Sequence, residues 1–100
     1  MTPAELHQRN ELDRDILTYV REAVRLAPVT LDAIEGFITT IRRRSVVRAD
    51  IVDRLRYLAS AGYLELHTEW AGGEFTHYTV TADGMDVLDG VKPPRNWQGK

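Results

Sequence analysis

Up to Gly62 the apolar residues of this chain recur every three or four positions, and beyond it every second position. The second pattern runs through Tyr63-Leu64-Glu65-Leu66-His67 and returns in Phe75-Thr76-His77-Tyr78-Thr79-Val80. A helix buries one stripe at a period of about 3.6, whereas a strand buries one face at a period of about two. The chain is therefore predicted to fold as helices followed by a β-hairpin, an α+β arrangement that is mainly α. One hundred residues with 43% hydrophobic content suffice for one compact domain with a modest core. Cysteine is absent from the sequence, so packing has to do what disulfides or thiolate metal sites do elsewhere.

Three helices are predicted before Gly62. Thr2-Pro3-Ala4-Glu5 has the form of a capping box with proline at the first helical position. Leu12, Ile16, Val20 and Val24 share one arc of the first helix, which ends before Pro28. Either Thr2 or Asn10 can cap it, since Leu6 lies near the same arc. Pro28-Val29-Thr30 leaves room for a very short strand. Thr30 then caps a second helix with Asp32 in its first turn and Leu31, Ile34, Ile38 and Ile41 as its core stripe. A third helix follows Arg42-Arg43-Arg44-Ser45, buries Ile51, Leu55 and Leu58, and stops at Ala61-Gly62. On its surface Asp50 and Arg54 have the spacing of a helix ion pair.

The hairpin register can be argued from its loop. A two-residue Gly72-Gly73 turn would put Leu66 and Val80 on opposite faces. A three-residue Ala71-Gly72-Gly73 loop pairs Leu64 with Val80 and Leu66 with Tyr78 on one buried face, and is the predicted register. Thr81 then caps a short last helix with Met85 and Leu88 inward, ending at Gly90. Residues 1–91 are expected to form a single domain and residues 92–100 an extended basic tail containing Trp97.

The net charge of −2 hides a segregation along the chain. Residues 42–58 hold six arginines against two aspartates, and residues 59–91 hold six acids and neither Lys nor Arg. An arginine run is usually a solvated turn, but this one stands at the entry to the third helix. The sequence contains no apolar run near the roughly 18 residues of a membrane span, and its start lacks the order of a secretory signal. The expected location is the cytoplasm, without membrane contact.

Helix, short strand, helix, helix, hairpin, helix is the element order of the winged helix-turn-helix. Ile51-x3-Leu55-x2-Leu58-x3-Gly62-Tyr63-Leu64, followed by Tyr78-Thr79-Val80-Thr81-x2-Gly84-x3-Leu88, resembles the recognition helix, wing and closing helix of MarR-like and PadR-like bacterial transcriptional regulators. The resemblance spans roughly residues 12–90. It implies a three-helix core, a two-stranded wing and a short closing helix, with the third helix in the major groove of double-stranded DNA. On this sequence the implied base-facing residues are Arg48, Ala49, Val52, Asp53 and Arg56, with Arg48 and Arg56 suited to bidentate pairing with guanine. Arg42, Arg43 and Arg44 would meet backbone phosphates. A homodimer of bacterial or phage type is expected, because operator sites are commonly two-fold. The wing departs from the MarR-like pattern: His67-Thr68-Glu69-Trp70-Ala71-Gly72-Gly73-Glu74 is acidic where that family typically has an arginine.

The alternative function is a protein-interaction module or complex subunit, with Trp70 and Phe75 of the acidic wing meeting a protein partner. His67 and His77 fall opposite each other in the predicted register but lack a clear third ligand, so no metal is expected. Neither serine stands in a glycine elbow, and His-Glu-x-x-His and P-loop spacings are missing. The chain reads as a non-enzyme without cofactor.

Overall fold

In a computed structural model, the structure describes residues 2–26, 28–43, 45–70 and 74–90. The side chains at positions 69, 70, 74 and 75, the predicted loop 71–73, Arg44 and the predicted tail 92–100 lie outside the described residues. The elements follow as α1 (Pro3–Ala23), α2 (Leu31–Gly36), α3 (Arg48–Ser60), β1 (Leu64–Trp70), β2 (Glu74–Val80) and α4 (Ala82–Leu88). This is the winged-helix order: three helices, an antiparallel hairpin and a closing helix.

Local chemistry sets the helix starts. Thr2 is the cap of α1, with its side chain accepting from Glu5 N at 3.1 Å while its own N–H donates to Glu5 Oε1 at 3.3 Å. The reciprocal bonds satisfy two of the donors that a helix start leaves open. Thr30 and Thr81 accept in the same way from Ala33 N and Gly84 N. All three caps are threonines that precede apolar stripes in the sequence.

The core collects α1, α2 and α3 over one end of the hairpin: Leu12, Ile16, Leu17 and Val20 meet Ile34, Ile38, Ile51, Leu55 and Leu58, with Tyr63, Leu64 and Val87 closing it. Truncating a fully buried member such as Leu58 to alanine removes about 2–5 kcal/mol. Val29 forms the predicted short strand as a single bridge to Tyr78, whose N–H donates to the Val29 carbonyl at 2.9 Å.

The hairpin adopts the three-residue-loop register, with Leu64 opposite Val80, Leu66 opposite Tyr78 and His67 opposite His77. Its apolar face is only partly buried. Leu64 is sealed, but Leu66 is 56% exposed, because the helices cover the base of the hairpin and leave its outer half uncovered.

Ile41 departs from the expected stripe. The turn Phe37–Ile41 is π-helical, closed by Arg42 N donating to the Phe37 carbonyl, and the Thr39 hydroxyl donates back to the Glu35 carbonyl at 2.8 Å. A wider turn delays every later residue relative to the α-helical phase, so Ile41 rotates out to 67% exposure. Val24 is also outside the core, at 39%, since α1 ends one residue earlier and Val24 is its cap.

Helix α4 buries Gly84 and Val87, with Leu88 packed alongside, whereas Met85 is only half-buried. The reason is Gly84: a Cβ there would overlap the Tyr63 carbonyl oxygen and stand 2.7 Å from Val80 Cγ1. The closest approach of helix to hairpin is therefore at the glycine, which turns Met85 toward the edge.

Candidate nucleic-acid interface

Helix α3 presents two unlike faces. Ile51, Leu55 and Leu58 are buried, and on the other side Ala49, Asp53 and Arg56 are exposed with Val52 half-buried at the margin. Its cap, Val47, is extended and has no side-chain acceptor, so the first-turn amides are not capped by a side chain.

Arg48, at the first turn, turns toward α2. Its Nη1 donates to Asp32 Oδ1 at 2.8 Å and to Glu35 Oε1 at 2.6 Å. These bonds push the guanidinium pKa up from its ordinary value, fixing the charge while surrounding it with two carboxylates. Exposed pairs of this kind contribute little stability, but they cancel the positive potential that a polyanion would meet.

At the junction before α3, Arg42 Nε donates to Asp15 Oδ2 on α1 at 3.3 Å. Arg43 has a left-handed backbone, φ 53°, and no ion-pair or hydrogen-bond partner among the described residues. Arg44 lies outside them. Arg56 is exposed and likewise unpaired among the described residues. It is near enough to Tyr78 for its charge to oppose the rise that burial imposes on the Tyr78 phenol.

Of the arginines singled out from the sequence, Arg42 and Arg48 are thus engaged by acids, while Arg43 and Arg56 meet none among the described residues. Arg54 does not take the local pairing with Asp50 that their spacing suggests. It reaches α1, where Nε and Nη2 donate to the two carboxylate oxygens of Asp13 at 2.7 Å each. Asp13 is fully buried and Arg54 also lies 4.5 Å over the Tyr57 ring. A local pair competes poorly with a planar, bidentate partner already desolvated. The available signal was Asp13 itself, an acid directly after Leu12 on the apolar arc of α1.

On the hairpin, the His67 and His77 rings stack with centroids 5.0 Å apart, and His67 Nε2 is 2.9 Å from Thr79 Oγ1. Among the described residues three or more metal-ligating side chains do not cluster anywhere. The Trp70 and Phe75 side chains, the candidate partner surface of the wing, lie outside the described residues. Among the described residues no helix is long and apolar enough to cross a membrane.

No protein-family model matches the chain, nor does any curated protein sequence. Among solved structures, the chain is similar to a PadR family transcription regulator from hypervirulent Clostridium difficile R20291, with a TM-score of 0.64 and 18% sequence identity. The likeness covers 80% of this chain and 81% of the regulator. With the element order and hairpin register above, it establishes the fold as a PadR-like winged helix.

Proposed function

We propose that the chain is a DNA-binding transcriptional regulator of bacterial or phage type, acting in the cytoplasm, with α3 entering the major groove of duplex DNA. The observation that carries this reading is the fold shared with a PadR family transcription regulator, in a chain whose α3 exposes Arg56 without a carboxylate partner among the described residues. Arg56 is suited to the N7 and O6 acceptors of a guanine, Asp53 to a cytosine amine and Val52 to a thymine methyl. Arg43, with Arg42 and Arg44 beside it, would neutralise phosphates and set the register. A two-fold homodimer would place two such helices one helical turn apart on the duplex.

The test is binding of short duplexes across a salt series, followed by anisotropy. Affinity is expected to fall steeply with salt, and Arg56→Ala is expected to lose about 1–3 kcal/mol on the preferred site. Absent or salt-independent binding at low ionic strength would refute the assignment.

A second reading is favoured by the capture of Arg48 between Asp32 and Glu35 and of Arg42 by Asp15. These pairs leave the domain less basic than its sequence suggests, as suits a protein-interaction winged helix working through the acidic wing. There Trp70→Ala would release a protein partner while leaving the fold intact, and retention of that partner would remove this reading.

A further inference from the structure

Helix α3 faces α2 through Arg48, and its opposite flank borders a cleft of about 660 Å3. Arg9 and Leu12 of α1 form one wall, Arg43 and Val46 of the α2–α3 segment a second, and Asp53 and Arg54 of α3 a third. The volume lies within the roughly 300–1,000 Å3 typical of small-molecule sites.

The charges that line this cleft are not equivalent. Arg54 and Arg42 are held from behind by Asp13 and Asp15, so their positive charge is already matched. Arg9 is different: its Nε is buried and has no hydrogen-bond acceptor among the described residues. A buried guanidinium N–H without an acceptor is costly and uncommon, and an acceptor arriving from outside would satisfy it. Arg43 also borders the cleft without a carboxylate partner among the described residues.

The acids divide in the same way. Glu5 is occupied by the cap of α1, where its carboxylate accepts from Thr2 N. Asp50 and Asp53 line the cleft from α3 and form no ion pair among the described residues. The cleft thus offers two guanidiniums and two carboxylates that have no hydrogen-bonded partner among the described residues, with apolar surface from Leu12 and Val46.

A simple anion placed here meets Asp50 and Asp53, and a simple cation meets Arg9 and Arg43. A molecule carrying both charges at separate ends avoids both repulsions. We propose that this cleft binds a small zwitterion of the α-amino acid or dipeptide class. Its carboxylate is received by Arg9 and Arg43 in the planar geometry that guanidinium favours, and its ammonium by Asp50 and Asp53.

The test titrates the full chain, without DNA, with the free α-amino acids and a set of dipeptides, followed by proton–nitrogen correlation NMR. Saturable shifts centred on Arg9, Val46 and Asp53 are expected for at least one zwitterion, with acetate and methylammonium at least about tenfold weaker. Arg9→Gln and Asp53→Asn are each expected to weaken binding at least about tenfold while keeping a folded spectrum. Asp53 is exposed, so its variant decides the matter even if Arg9→Gln unfolds. Absence of saturable binding across the set, affinity unchanged in Asp53→Asn, or inorganic phosphate binding as tightly as the zwitterions would each overturn the proposal. Because DNA is left out, these outcomes are independent of the regulator assignment.

Discussion

Arg54 of α3 holds both oxygens of the fully buried Asp13 carboxylate on α1, at 2.7 Å through Nε and 2.7 Å through Nη2. The pair ties the first helix to the third, yet a buried ion pair is weak evidence of stability because each charge had to leave water. Removing one partner strands the other. Asp13→Ala and Arg54→Ala are each expected to destabilise by about 3–5 kcal/mol, whereas the joint change Asp13→Leu with Arg54→Met is expected near neutral or stabilising. Urea denaturation of these variants and of the alanine double variant checks this, and single-variant losses that simply add in the double would contradict the coupling.

The same carboxyl gives a pH signature. Burial is the largest influence on Asp13 and raises its pKa above the ordinary 3.8, while the bonds and charge of Arg54, and then the charge of Arg9, hold back part of the rise. A carboxyl raised on folding binds its proton more tightly in the folded chain than in the unfolded one. Its contribution is therefore fully present below 3.8 and declines as the pH rises through the folded value, then stays level. Asp13→Asn lacks this titration. The stability of the unaltered chain minus that of Asp13→Asn is expected to fall as the pH rises above 3.8 and through the folded value, and to level off beyond it. A difference that climbs over that window would place Arg54 ahead of burial.

Gly84 tests the packing of the closing helix. With Tyr63 O in overlap range of an added methyl and Val80 Cγ1 2.7 Å away, Gly84→Ala has to push α4 off the hairpin. A loss of about 3 kcal/mol is expected. Gly36, where an added methyl would have nothing within 4 Å, sits in a helix and is the control: Gly36→Ala is expected neutral or stabilising by up to about 1 kcal/mol.

What the sequence made legible follows the range of the interactions. Threonine caps and the hairpin register depend on neighbours within a few residues or on the parity of one strand against another, so Thr30, Thr81 and the pairing of Leu66 with Tyr78 could be read directly. Ile41 could not, because its exposure depends on a π turn that shifts the phase of an otherwise regular stripe. The partners of Arg48 and Arg54 could not either. They lie 13, 16 and 41 residues away, and only the packing of α1 and α2 against α3 selects them over the nearer Asp50. The arginines were visible as candidates, but which of them keep their charge available was a property of the tertiary structure.

Arg43 separates backbone strain from charge. A left-handed conformation at φ 53° is unfavourable for any residue with a Cβ, by about 1 kcal/mol, and worse when that carbon is branched. Arg43→Gly is expected to hold or slightly raise stability, and Arg43→Val to lower it. If Arg43 meets a phosphate, Arg43→Gly also reduces the slope of log affinity against log salt by about one without altering sequence preference. An unchanged slope would remove Arg43 from the interface.

The clamp on Arg48 allows an experiment in which affinity should rise. Asp32 and Glu35 hold its guanidinium at 2.8 and 2.6 Å and place two negative charges beside the start of α3. A DNA phosphate approaching that flank has to compete for Arg48 and is repelled by both acids. Asp32→Asn with Glu35→Gln removes the repulsion and frees the guanidinium, yet leaves polar side chains in place. Arg48 and Asp32 are exposed and Glu35 is partly so, and both replacements keep the size and polarity of the side chain, so the fold is expected to tolerate the change. Duplex affinity at low salt should increase about tenfold, with a steeper salt dependence, as one more counterion is released. The gain should shrink when Arg48→Ala is added, leaving only the part that comes from removing the two negative charges. A double variant that binds DNA no better, with or without Arg48, would mean that this flank of α3 does not approach the duplex, and the groove contacts would then have to be sought around Arg56.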